Sequence, residues 1–472
     1  MTTRDIVVIG SGIAGLSAAV AAAEELQGRD DARVVLVDRA DRLEAGGLTR
    51  WTSAYLRIDD VYEPGEDFVS DVVGFSDGRT PTWYVESLVE HLPETMEWIQ
   101  DKGVRFRKLP TYFINSSRPR LQPVGGGEAL LEALRPVAER LGVQFRYRTT
   151  AQRLLLDDAG AVTGLEVSDP DTGGTTVLPA ARVVIASGGF EGSVEHLSSE
   201  LGGDCTQLRP IAPGVAFNKG EGIRMALEAG AARAGEWDSF HAEPVDPRST
   251  DPEPLLMVFP YGILVNGQGR RFLDEGRGTV DETYEATARA IWRQPGSTAW
   301  FVTDQHFTEV EARERGILTS RPPVTAGSVE ELAAALDLPA DALAETIADY
   351  NAAAPGGAFD WRSPDGLATE GLQPPKSNWA VALTRPPFIA YPVACAIVFT
   401  FGGLDVDDRG RVVTDSGAPV PGLYAAGECT GLYHGKYPGG TSVLRGMVFG
   451  RLAGRDAAHS LDLAALSGPP AV

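Results

Sequence analysis

Three cysteines in 472 residues, Cys205, Cys395 and Cys429, stand singly. They form neither a disulfide framework nor a CxxC cluster, which argues against iron–sulfur and c-type haem modules. The histidines His91, His196, His241, His306, His434 and His459 lack paired ligand spacing, so no metal site is expected. There is no GxSxG elbow, which removes hydrolysis by that serine arrangement. No apolar run reaches the length of a membrane span. Positive charge is also short: 42 basic against 65 acidic residues leave a net −23. That balance suits solubility and is a poor match to a polyphosphate backbone, so nucleic acid is not an expected partner. Met1-Thr2-Thr3-Arg4 leads straight into a strand-like run, which leaves no room for a leader peptide and points to a cytoplasmic protein.

What the chain does have is concentrated at its two ends. Ile6-Val7-Val8-Ile9 reads as a buried parallel strand. Gly10-Ser11-Gly12-Ile13-Ala14-Gly15 follows, then an alanine-rich helical stretch from Leu16 to Leu26. A second strand-like run, Val34-Val35-Leu36-Val37, is closed by Asp38 and Arg39. This is GxGxxG between a strand and a helix, with an acid about 20 residues further on. Gly10 permits the turn, Gly12 the close approach of a pyrophosphate, and Gly15 the packing of helix on strand. The helix N-terminus supplies free N–H groups and positive potential, and Asp38 would hold the adenosine ribose.

Roughly 430 residues later a second helix N-terminus arrives. Tyr424-Ala425-Ala426-Gly427-Glu428 reads as a strand and a glycine-ended loop. Gly439-Gly440-Thr441-Ser442 then opens an apolar helical run from Val443 to Ala453. Two such ends suit one long cofactor, with adenosine at the first and a flavin ring at the second. The late helix would aim its positive end at the flavin atoms where reduction places negative charge.

These motifs, with Gly46-Gly47-Leu48-Thr49-Arg50, Ala186-Ser187-Gly188-Gly189-Phe190 and the segment from Gly262 to Glu275, resemble the fumarate reductase/succinate dehydrogenase flavoprotein superfamily. Within it the chain looks most like the FAD-dependent tricarballylate dehydrogenase group, through Gly222 to Leu227, Tyr261-Gly262-Ile263, Arg271 to Gly276 and Tyr437-Pro438-Gly439-Gly440. The likeness is collinear over nearly the whole chain. It implies an α/β fold: a Rossmann-like FAD-binding domain made from residues 1–235 and 385–472, with an inserted α+β capping domain over 236–384. It further implies FAD contacts at Gly10, Gly12, Ile13, Ala14, Gly15, Asp38, Arg39, Gly46, Gly47, Leu48, Thr49, Ala151, Ser187, Gly188, Gly427, Glu428, Thr441, Ser442 and Val443. No histidine precedes His91, so the FAD is expected to be non-covalent.

At the reacting centre the chain departs from the fumarate reductases. Tyr284 falls where they carry a proton-delivering arginine. Tyr437 replaces a carboxylate-gripping arginine, and Phe399 a substrate-binding histidine. Tyrosines at the first two positions resemble the 3-ketosteroid dehydrogenases and the tricarballylate group. The expected catalytic residues are therefore Tyr284, as acid/base, with His241 and Tyr437. Arg118, Arg120, His434, Lys436 and the backbone of Gly440 are candidate substrate contacts, and Arg50 and Arg57 flank a flavin-side loop. The expected reaction is dehydrogenation of a carbon–carbon bond beside a carbonyl or carboxylate, with a tricarballylate-like polycarboxylate as the implied substrate. A ketosteroid-type or cyclic-ketone desaturase, an enoate reductase, and a flavin electron-transfer subunit are the alternatives. No second nucleotide fingerprint is present, so the electron acceptor is not identified.

Overall fold

The four residues Ile6 to Ile9 are buried on both faces of their strand, as in a parallel sheet covered by helices on either side. In the computed structural model, which describes residues 4–58, 63–109, 120–169, 173–311 and 313–466, they form strand β1 (Ile6–Ile9). A tight turn leads to helix α1 (Ile13–Glu25) and strand β2 (Val34–Val37). The later elements used below are, in chain order, β3 (Gln144–Arg146), β4 (Arg182–Ile185), β5 (Phe240–Val245), β6 (Ile263–Asn266) and α2 (Val280–Trp292). They are followed by β7 (Thr298–Thr303), β8 (Phe388–Thr400), β9 (Arg411–Val413), β10 (Pro419–Ala425) and α3 (Ser442–Leu466).

The first sheet has the order β9-β10-β4-β1-β2-β3. Its pairings are parallel from β10 to β3, and β9 closes one edge antiparallel. The strand-like runs at Arg153 to Leu156 and Val162 to Val167 belong to a separate three-stranded sheet beside it. A second large sheet is built on β8, whose 13 residues pair antiparallel with β5 and β7, while β7 pairs with β6. Strand β8 is the spine of this second sheet. Its far end, at Phe399 and Thr400, runs back to the first sheet's side of the molecule. That one strand carries the chain between the two layers.

The two ends of the chain meet through small residues. Gly446, Gly450 and Gly454 of α3 lie against α1, where a Cβ on Gly450 would come within 2.4 Å of the Ala14 carbonyl oxygen. At Gly454 it would come within 2.1 Å of the Ala18 oxygen. Only glycine allows this backbone contact. Among the described residues, no helix is long and apolar enough to cross a membrane.

Under the second sheet lies a buried cation. Lys376 Nζ donates to the carbonyls of Pro260 and Gly262 at 2.7 and 2.9 Å, and burial pulls its ammonium down to about 8. A Lys376→Met variant leaves both carbonyls without that donor. It should lose about 2–4 kcal/mol of stability, from the cost of unsatisfied buried acceptors. Chemical denaturation measures this, and an unchanged midpoint would show that the carbonyls find other donors.

Candidate active site

An elongated cavity of about 560 Å³ runs between the two sheets. At one end the turn after β1 is fixed by sterics. Gly10 has φ +99°, and a Cβ there would stand 2.3 Å from the Ala186 oxygen; a Cβ on Gly15 would stand 1.9 Å from the Gly10 oxygen. Gly10, Gly12, Ile13 and Ala14 line the cavity, whereas Gly15 sits behind them as the contact between helix and turn. Asp38 and Arg39 border it at the end of β2. The Asp38 carboxylate accepts from Ser11 N and Oγ at 2.9 and 2.5 Å and from Ala40 N at 2.9 Å, so it is braced against the glycine turn. Arg39 pairs with Glu221 at 2.9 Å.

Gly46, Gly47, Leu48 and Thr49 form the facing wall, and Thr49 Oγ1 accepts from Ile13 N at 3.1 Å. Ala151, Ser187 and Gly188 continue it. Gly188 has φ +76°, and a Cβ there would overlap the Asn218 amide at 2.4 Å. Asn218 Nδ2 in turn donates to Glu191 at 2.6 Å and to Glu428 at 3.4 Å. Burial raises both carboxyls, and the charge of Glu428 raises Glu191 further.

Gly427, Glu428, Ser442 and Val443 border the cavity from the C-terminal segment. Thr441 is buried just behind. At this N-terminus of α3, the Tyr437 hydroxyl oxygen accepts from Thr441 N and Ser442 N, both at 3.0 Å, and donates to Ser442 Oγ at 3.0 Å. The tyrosine thus caps the helix while its ring faces the cavity. Arg445, one turn further on, is also at the wall; it donates to the Thr430 carbonyl at 3.0 Å and lies over the Tyr433 ring.

The other end of the cavity is where ionisable groups converge. His241 projects from β5 among the rings of Tyr437, Phe399 and Tyr284, at centroid distances of 4.6, 4.9 and 5.7 Å. Its Nδ1 lies 2.8 Å from Glu285 and its Nε2 3.4 Å from Glu243. Burial opposes the charge on this imidazole. Its hydrogen bonds to Glu243 and Glu285, with their charges, outweigh that and raise it to about 9. At neutral pH His241 is therefore an imidazolium: a donor and a positive charge, with no free lone pair to act as a base. Tyr284, on α2, lines the same end. Glu253 does so too; its carboxylate accepts from Ser53 N and Oγ at 3.3 and 3.0 Å, and burial, then the charge of Glu243, pushes it up to about 7. Arg107 closes this end, held by two bonds to Gln122.

Most of the remaining candidates lie off the cavity wall. Gly440 borders the cavity, with its backbone against Arg57 N. His434 is half-buried and Lys436 exposed, and neither is among the lining residues. The turn that carries them faces outward, held by Glu236, which bonds Gly435 N and Arg79. Arg120 is buried behind Gly439. Arg57 is engaged by the Pro438 carbonyl and Asp71, and Arg50 by Glu128 and the Ala45 carbonyl. Arg118 lies outside the described residues. Glu243, Glu253, Glu285, Asn218 and Arg445 went unnoticed in the sequence. Only Glu243 left a signal there, standing two residues from His241 on a strand and hence on the same face.

The cavity fits FAD on two counts: its first turn is held close by Gly10 and Gly15, where a Cβ would overlap backbone, and a helix N-terminus lies at each of two separated places along it. When bound, FAD supplies the hydride acceptor.

Comparison with known proteins agrees with this geometry. A family model described as an FAD binding domain matches residues 5–444. A probable fumarate reductase of Shewanella frigidimarina is 27% identical over 98% of this chain and 76% of its own length. A 4-oxocyclohexanecarboxylate 2-dehydrogenase of Sinomonas cyclohexanicum is 30% identical over 77% of this chain and 66% of its own. The solved 3-ketosteroid-Δ4-(5α)-dehydrogenase of Rhodococcus jostii superposes with a TM-score of 0.70 at 26% identity, covering 97% of this chain and 98% of that one. With its cofactor cradle and fold in common with these proteins, the chain belongs to this FAD binding domain family and is an FAD-dependent oxidoreductase acting on carbon–carbon bonds.

Proposed function

We propose that the chain is a dehydrogenase that introduces a C=C bond beside a carbonyl, and that the carbonyl is a ketone's. The observation that carries this reading is the His241 ring held between the carboxylates of Glu243 and Glu285, which favour its charged form, next to Tyr284 at one end of the cofactor cavity. An imidazolium donates to the carbonyl oxygen and stabilises the negative charge that grows there as the α-proton leaves. Tyr284, reacting as the phenolate, takes that proton and becomes the phenol, while the β-hydrogen departs as hydride, so the substrate loses one proton and one hydride in all. Tyr437, capping α3, fixes the wall opposite.

The Glu243 carboxylate beside His241 favours a ketone over a tricarballylate-like polycarboxylate, whose charges it would repel. The names of two similar proteins, the oxocyclohexanecarboxylate and ketosteroid dehydrogenases, point the same way. The test is anaerobic. Cyclic ketones, tricarballylate and succinate are added separately to the yellow protein, and the oxidised-flavin band is followed. Bleaching by ketones alone is expected. Bleaching by tricarballylate alone would restore the polycarboxylate, and bleaching by none would remove the dehydrogenase reading. A Tyr284→Phe variant should keep its FAD and lose about 10²–10⁴-fold in the bleaching rate, the usual worth of a proton-transfer group. Wild-type bleaching in that variant would take Tyr284 out of the mechanism.

A further inference from the structure

Glu285 follows Tyr284 on α2 but does not reach the cavity wall, and it is buried. Its two oxygens serve two distant parts of the chain. Oε1 is 2.8 Å from His241 Nδ1 on β5, and Oε2 accepts from the Tyr437 backbone N–H at 2.9 Å. One turn along the same helix face, Arg289 does parallel work: it donates to the carbonyls of Phe240 and Gly435. Helix α2 is thereby fastened to the strand that carries His241 and to the loop that carries Tyr437.

We propose that Glu285 is the positioning residue of the active site: it orients the His241 ring, keeps it charged, and holds the Tyr437 loop in register with it. The ring's two nitrogens are not equivalent. Because Glu285 accepts a short bond from Nδ1–H, Nε2 is left facing Glu243 at the longer 3.4 Å. The Nε2–H is then the donor that a substrate oxygen can share. One carboxylate acting on both segments means that the imidazolium and the helix-capping tyrosine are set together.

The groups facing His241 are few. Glu243 lies on its own strand, Tyr284 and Glu285 come from α2, Phe399 from β8 and Tyr437 from the loop. Arg289 stands 3.8 Å from Glu285. Cys395, whose thiol burial pushes up to about 12, is neutral at working pH. Removing the charge of Glu285 therefore removes one of the two carboxylates that contact the imidazole among the described residues.

The kinetic part of this inference rests on the proposed dehydrogenation, whereas its structural part does not. The experiment uses holoenzyme with ¹³C-labelled histidine, the His241 signal being assigned by its loss in His241→Gln. Glu285→Gln retains an acceptor and loses the charge; Glu285→Leu loses both. In Glu285→Gln the titration midpoint of His241 should fall from about 9 by roughly one pH unit or more, the effect of an opposite charge withdrawn. The bleaching rate by the best ketone should fall about 10–100-fold, with its KM moving less than about threefold. In Glu285→Leu the Tyr437 amide should also exchange faster with solvent. An unchanged His241 midpoint in Glu285→Gln overturns the inference, as does a loss of thermal stability with an unmoved titration. If no substrate bleaches the flavin yet the midpoint moves, the positioning role stands and the dehydrogenase reading falls.

Discussion

Gly15→Val should accumulate without FAD and melt far below the wild type. The Gly15 Cα sits so close to the preceding turn that a Cβ would lie 1.9 Å from the Gly10 carbonyl oxygen and 3.4 Å from the Ala186 side chain. The overlap is with the Gly10 backbone, which no rotamer change relieves, so β1 and α1 must separate. That separation opens the cradle at the point where the helix dipole meets the pyrophosphate. The loss should be of the order seen for strained or overpacked core sites, about 3 kcal/mol or more, with the bound ligand's contribution lost as well. The 450 nm-region absorbance per polypeptide and a thermal melt with and without added FAD read both effects. A yellow Gly15→Val protein with a wild-type melt would show that the turn tolerates a side chain, contrary to its packing.

His241→Gln should bind FAD normally and reduce it about 10²–10⁴-fold more slowly than wild type, since a charged donor at the carbonyl is removed. The wild-type rate should carry a falling limb above about 9, where the imidazolium gives up its proton. The variant should lack that limb. The linkage to stability has the same sign. The folded imidazole keeps its proton up to about 9, whereas an unfolded one releases it near 6.5. The stabilisation is thus complete below that lower value and is lost as pH rises through the upper one. Melts at pH 6 and pH 9.5 should therefore differ more for wild type than for His241→Gln. A rate unaffected by the substitution would leave the imidazolium without a catalytic role.

The cofactor half of the cavity was legible because its rules are local. Gly10, Gly12 and Gly15 are dictated by contacts within one turn, and Asp38 follows at the end of the very next strand. The late helix announced itself by Gly439-Gly440 ahead of an apolar run. The catalytic half obeys no such rule. Glu285 contacts His241 and Tyr437 across 44 and 152 residues of chain, and nothing near it in the sequence marks a carboxylate that bonds both. Glu253 and Glu243 face one cavity from separate stretches. Asn218 matters because Gly188 makes room for it. The loop from His434 to Gly440 shows a different limit. Its glycines mark a place where chain and ligand converge, but they do not say which side chains turn inward. The Tyr437 ring does so and Gly440 borders the cavity with its backbone, while His434 and Lys436 are off its wall. Even Tyr437, expected at the substrate, gives its hydroxyl to the amides of Thr441 and Ser442.

The glycine seam between α1 and α3 also sets a timetable. During synthesis the nucleotide turn emerges first, yet the helix that backs it is made roughly 430 residues later. Contacts of such long range close slowly. Until Gly446, Gly450 and Gly454 arrive, Ala14 and Ala18 have no backbone to rest on, and the flavin end of the cradle does not exist. A nascent chain can thus complete its second sheet, β8 included, while its nucleotide end still waits for α3. FAD arriving afterwards touches both termini and ties them, so the vitamin supply of the cell becomes a factor in how much of this chain reaches its finished shape.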